Sequence, residues 1–357
     1  MTTTETLIIN RILNTVAERG ATDVHFVIGN YPYLRVKDEL APLTEEELIN
    51  PQAMEAIINF FVSDEKKAVL KEKKELNFIY VWLSKARFRV HVFQQKGYFS
   101  VSLKLISEKI KTLVELGLPK IVGGLLESNK GLLFVSGSFN SGKSATIASI
   151  IETINQTRSE HILYLEEPIE QLFVSKKSII EQREVGLDVP TFAEGLRSAK
   201  SEDVDLIVVS KVEAPEELEL ILELAESGRL VVAALDYESV ASALSGVVSE
   251  FSEEKAIWAK NVLAEFLIGV IVQKLVPKVA GGMALAAEIL TLTPSSKSLI
   301  KEGRFFQLDN IIQISRADGM INLDKSLLEL VLQGEVAAEE AIKFANNPKA
   351  FKAGLRI

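Results

Sequence analysis

The stretch GSFNSGKS, residues 137–144, decides how the rest of this chain is read. Glycine at its first and sixth positions, followed by lysine and serine, is the spacing of a P-loop. The apolar run GLLFVS precedes it and the helically spaced ATIASIIETI follows, so the motif falls at a strand-to-helix turn. Glycines there let the backbone close around phosphates, while successive N–H groups and the helix N-terminus point positive charge at them. Lys143 adds a point charge, and the Ser144 hydroxyl is placed to ligate magnesium. The candidate phosphate-binding residues are therefore Gly137, Ser138, Asn140, Ser141, Gly142, Lys143 and Ser144, with ATP and Mg as the implied ligands.

Outward from the motif, apolar strands alternate with longer helices: HILYLEE, TFAEGLRSAK, VDLIVVS, APEELELILELAESG and RLVVAAL. That alternation predicts a mostly parallel sheet flanked by helices. From about Glu253 the pattern becomes chiefly helical, apart from a hairpin expected around Gly281 and Gly282. The most apolar window, VLAEFLIGVIV at residues 262–272, is shorter than the roughly 20 residues of a membrane span and contains Glu265, so it is read as a buried helix. Phe305 and Phe306 are expected to fill core, and the helix EELELILELAE to be half-buried with a solvated acidic face.

Upstream the texture differs. Residues 4–19 repeat apolar side chains at helical spacing and end at Gly20. Short strand-like runs follow (DVHFVIG, YLRV, NFIYVWL, ARFRVHVF and YFSVSLKLI), with a helical pattern over 51–70. The segment SEKIKTLVELGLP, charged and broken by Gly117 and Pro119, is the expected linker. The chain is thus read as α/β overall: an α+β domain over 1–106, a linker over 107–119 and a P-loop domain over 120–357.

Composition bounds the partners. The 40 basic and 49 acidic residues give a net charge of −9, which offers no overall footprint for nucleic acid or an anionic membrane surface. A nucleic-acid motor is accordingly the least favoured class. The absence of cysteine excludes disulfides and thiolate sites and fits a cytoplasmic setting. The N-terminus lacks the pattern of a secretory signal, and direct membrane insertion is not expected. His25, His91 and His161 are scattered, so no metal beyond magnesium is assigned.

The order ARFRVHVFQQKG, GSFNSGKS, LYLEEPIE, EQREVG, TFAEGLRSA, ESGRLVVAALD, AAEIL and SLIKEG resembles the PilT-type retraction ATPases of type IV pili, within the type II/IV secretion ATPase superfamily. The resemblance implies a PAS-like N-terminal domain and a RecA-like ATPase domain in a hexameric ring, docked under an inner-membrane platform protein, where ATP turnover depolymerises the pilus. Arg87 and Arg89 match the family's Arg-Phe-Arg-Val element, and the arginines that follow it there fall on Lys96 and Lys104. Glu166 and Glu167 open the acidic box and are the candidate catalytic carboxylates.

The departures from the family pattern gather at positions on which hydrolysis depends in the family. The Walker B Gly-Glu pair is here Ser210 and Lys211, and the two box histidines fall on Arg229 and Asp236. The resemblance therefore implies an ATP-binding subunit of a homomeric ring, or of one mixed with an active paralogue, whose hydrolysis is weakened or lost. The alternative is an active retraction motor in which Glu166 or Glu167 orients the water. Lys211 has two open readings: an ammonium that reaches the γ-phosphate, or one paired with Glu166, Glu167 or Glu213. Glu166 likewise either orients water or holds magnesium through water.

Overall fold

The computed structural model describes residues 3–36, 39–83, 86–107 and 109–355. Glu108, within the expected linker, lies outside the described residues. The chain divides into two compact units, one of Met1–Lys109 with Pro168–Leu172, the other of Ile110–Glu167 with Phe173–Ile357.

In the first unit α1 (Thr3–Arg19) buries Ile9, Ile12, Leu13 and Val16 at helical spacing. The strands are β1 (Asp23–Phe26), β2 (Tyr33–Val36), β3 (Glu39–Pro42), β4 (Glu75–Trp82), β5 (Ala86–Gln95) and β6 (Tyr98–Ile106). They form an antiparallel sheet in the order β3-β2-β1-β6-β5-β4. The sequence pattern missed β3, whose side chains are all exposed and therefore carry no apolar alternation. Two helices, α2 (Pro51–Phe61) and α3 (Asp64–Lys73), begin at side-chain caps: Asn50 accepts from Ala53 N and Ser63 from Lys66 N. The core gathers Phe26, Leu34, Phe61, Phe78, Phe88 and Leu103 with the buried stripe of α1.

In the second unit α4 (Ile121–Leu125) leads into β7 (Gly131–Ser136), and the remaining strands are β8 (His161–Glu166), β9 (Ile179–Glu184), β10 (Leu206–Val209), β11 (Leu230–Leu235), β12 (Leu267–Pro277) and β13 (Met283–Thr291). Their order is β13-β12-β7-β11-β10-β8-β9; every pairing is parallel except the β12–β13 hairpin, which turns at Gly281 and Gly282 as expected. Every side chain of β7, β10 and β11 is buried, so each reads as a continuous apolar run. Each such aliphatic side chain contributes about 1.5–3 kcal/mol when fully buried. The helices are α5 (Lys143–Thr157), α6 (Phe192–Ala199), α7 (Pro215–Glu226), α8 (Val240–Ser249), α9 (Glu253–Phe266), α10 (Pro294–Lys301), α11 (Leu308–Ile314), α12 (Leu323–Leu332), α13 (Ala338–Phe344) and α14 (Pro348–Gly354).

Three expectations change. The window 262–272 is not one buried helix: α9 ends at Phe266 and the chain continues as β12, a strand beside β7. Phe305 is core, but Phe306 is 77 % exposed. On α7, Glu217 is buried instead of solvated, because its carboxylate accepts the Glu213 and Ala214 amides ahead of the helix. No helix among the described residues is long and apolar enough to cross a membrane.

Candidate nucleotide site

The parallel sheet delivers several of the candidate residues to one edge. At the carboxyl ends of the strands β7 runs into the P-loop, β11 into Asp236, β10 into Ser210 and Lys211, and β8 ends at Glu166. That edge is where α/β sheets bind ligands.

The loop after β7 is held open by backbone geometry. Gly137 has φ +147°, and a Cβ on it would stand 2.5 Å from both the Gln273 carbonyl and Ser141 Oγ. Asn140 adopts φ +61°, a left-handed conformation uncommon outside glycine. Gly142 at φ +92° precedes the first turn of α5, and the Ser141 amide donates to Ser138 O at 3.2 Å. Ser141 is buried with its hydroxyl unpartnered, and the first-turn amides of α5 carry the positive end of the helix dipole. This donor set fits a phosphate chain. Ser144, the candidate magnesium ligand, is exposed one residue into α5.

Beneath the loop lies a residue that motif reading did not find. Gln273 of β12 is fully buried and donates from Nε2 to Thr146 Oγ1 at 2.9 Å, tying the strand to the first turn of α5. Its Oε1 is buried without a partner. The signal was available: one amide inside the apolar run GVIVQKLV.

Lys143 is folded back. Its ammonium donates to Gly137 O at 2.7 Å and Ser138 O at 3.0 Å and pairs with Asp236 Oδ1 at 2.8 Å. The Asp236 loop is itself braced. Ser136 Oγ donates to Tyr237 O at 2.8 Å and accepts from Tyr237 N at 3.1 Å, and Ser239 caps α8. The Val240 amide donates to Glu288 Oε2 at 2.8 Å. Burial pushes the Glu288 carboxyl up to about 7, against the opposing effect of that hydrogen bond.

Of the two readings of Lys211, the ion pair is the one formed: its ammonium meets the Glu213 carboxylate. The side chain remains 47 % exposed, so the pair is a solvated one. Glu166, at the end of β8, is buried, while Glu167 beside it is exposed.

The remaining basic candidates lie in the first unit. On β5, Arg87 Nη2 donates to Ile169 O at 3.0 Å, and Arg89 pairs with Glu170 at 2.8 Å, which accounts for the last two positions of the acidic box. Lys104, exposed on β6, stands opposite Arg89, whereas Lys96 is exposed in the β5–β6 turn at φ +49°. His25 bonds Ser102, His91 bonds Glu75 and His161 bonds the Asp203 carbonyl; burial lowers the His25 pKa.

The chain is similar to known proteins over most of its length. Residues 2–286 match the family described as Type II/IV secretion system protein. The chain is 35 % identical to the "Type IV pilus retractation ATPase PilT" of Pseudomonas aeruginosa, over 96 % of this chain and 99 % of that one. It is 33 % identical to the "Twitching motility protein" of Neisseria gonorrhoeae, over 89 % and 85 %. Among solved structures, that of the pilus retraction motor PilT with bound ADP superposes with a TM-score of 0.86 at 34 % identity, covering 95 % of this chain and 97 % of the other. The chain belongs to the type II/IV secretion ATPase superfamily, as a PilT-like member with a RecA-like P-loop domain.

Proposed function

We propose that this chain is an ATP-binding subunit of a type IV pilus motor in which hydrolysis is weakened or lost, serving a structural or regulatory role. One observation carries the second half of that reading: at the end of β10, where the family has its water-orienting glutamate, Lys211 stands paired with Glu213. Phosphoryl transfer depends on a positioned water and on neutralised charge, and losing the orienting carboxylate costs about 10² to 10⁴ in rate.

The P-loop residues bind and orient. Backbone amides from Ser138 to Ser144 cradle the phosphates, and Lys143 exchanges its carbonyl partners for phosphate oxygens. Magnesium, held by the Ser144 hydroxyl and through water by Glu166, would supply charge neutralisation there. Arg87 and Arg89 keep the planar fork that suits phosphate recognition, whereas Lys96 and Lys104 lack it and would be partial substitutes for the family's arginines. Around this centre the family resemblance supports a PAS-like first domain over 1–106, a hexamer that is homomeric or mixed with an active paralogue, a cytoplasmic location and docking on an inner-membrane platform protein.

The second reading keeps the motor active, with Glu166 orienting the water. Its support is the position of Glu166, buried at the end of β8 on the same sheet edge as the P-loop. Equilibrium binding of ATP, with turnover recorded in parallel for the native chain, Lys143→Ala and Glu166→Gln, separates the two. Lys143-dependent binding with turnover near background supports the first. Turnover that Glu166→Gln abolishes supports the second.

A further inference from the structure

We propose that Asp236 sets the nucleotide preference of the P-loop, favouring a nucleoside diphosphate over the triphosphate. The inference rests on the reading of the P-loop as a nucleotide site and says which nucleotide state it retains.

A lysine ammonium has three N–H donors, and all three of Lys143 are met, by Gly137 O at 2.7 Å, Ser138 O at 3.0 Å and Asp236 Oδ1 at 2.8 Å. The P-loop lysine is the group that reaches the β- and γ-phosphates. The Asp236 carboxylate thus already occupies, as an anion, a coordination position on that ammonium which a phosphate oxygen would take. A diphosphate can replace the two neutral carbonyls and leave the Asp236 pair intact. A triphosphate brings its γ-phosphate against Asp236, and two anions sharing one ammonium repel each other within about 5 Å.

The Asp236 backbone is held in place, while its side chain is 68 % exposed. Its chain neighbours are fixed on both sides: the Leu235 backbone is part of β11, and Tyr237 exchanges two hydrogen bonds with the buried Ser136 hydroxyl. The Tyr237 ring packs so closely on Gly246 of α8 that a Cβ there would meet it at 2.3 Å. The other acidic side chain of the loop, Glu238, faces Lys274 at 3.6 Å and does not contact Lys143. Only the Asp236 charge bears on the ammonium directly among these two.

Calorimetric titration with ADP and with the non-hydrolysable analogue adenosine 5′-(β,γ-imido)triphosphate, at saturating magnesium, tests this. The native chain, Asp236→Asn, Glu238→Gln and Lys143→Ala are compared. Asp236 is 68 % exposed in its side chain, so the isosteric amide leaves packing unchanged, and a melting curve confirms that the variant is folded. The expected result is a native preference for ADP of about tenfold or more that Asp236→Asn reduces to near unity and Glu238→Gln leaves in place. A preference unchanged in Asp236→Asn, with ADP binding still dependent on Lys143, would overturn this inference and leave the nucleotide site standing. Loss of Lys143-dependent binding for both ligands would overturn the nucleotide reading and this inference together.

Discussion

The carboxyl edge of the sheet holds two kinds of strand end, and they have fared differently. The end of β7 makes its site from backbone: Gly137, Gly142 and the first turn of α5 supply conformations and amides that any phosphate chain can use. The ends of β10 and β11 make theirs from single side chains, here Lys211 and Asp236. A backbone-built site is changed only by breaking the loop, whereas a side-chain site is rewritten by one substitution. On the proposed function, nucleotide binding rests on the first kind of site and hydrolysis on the second.

The comparison can be broken most strongly at Gly137. Gly137→Ala places a methyl 2.5 Å from the Gln273 carbonyl at a φ of +147°, so the loop must deform. We expect ADP affinity to fall by more than about 100-fold, measured by calorimetry on protein shown to be folded. A smaller effect comes from the support beneath. Gln273→Leu removes the bond to Thr146 and should weaken ADP binding by about tenfold and lower stability by about 1–3 kcal/mol in a denaturant titration. Unchanged affinity would mean that the amide does not position the loop.

The smallest effect is at Glu288, under the Asp236 loop. A carboxyl whose pKa is raised by folding, from 4.5 to about 7, binds its proton more tightly in the folded chain. Its contribution to stability therefore falls as pH rises across that window and stays low above it. Burial is the main cause; Asp309 and Asp324 add to the rise, while Lys274 and the Val240 amide oppose it. Glu288→Gln should raise the melting temperature by a few degrees at pH 8 and give no gain at pH 4.5. An equal change at both values would contradict the assignment.

What the sequence disclosed follows the same division. The P-loop and the buried parallel strands were legible because turn chemistry and continuous apolar runs are local signals. The run from Val262 misled for a related reason: β12 is largely buried, and an unbroken apolar stretch does not distinguish a buried strand from a buried helix. β9 was missed because IIEQRE, at the sheet edge, has its polar residues half-buried and no clean alternation. Which carboxylate meets Lys211 depends on the fold, and nothing in the spacing of Asp236 from the P-loop signals that it engages Lys143.

Steady-state ATP turnover by the native chain beside Lys211→Glu tests the central claim most directly, with nucleotide occupancy recorded in both. The account predicts that the native protein binds nucleotide and turns it over near background, and that restoring the carboxylate raises turnover at least about tenfold. Native turnover of about 1 s⁻¹ or more, dependent on Lys143 and not increased by Lys211→Glu, would contradict it.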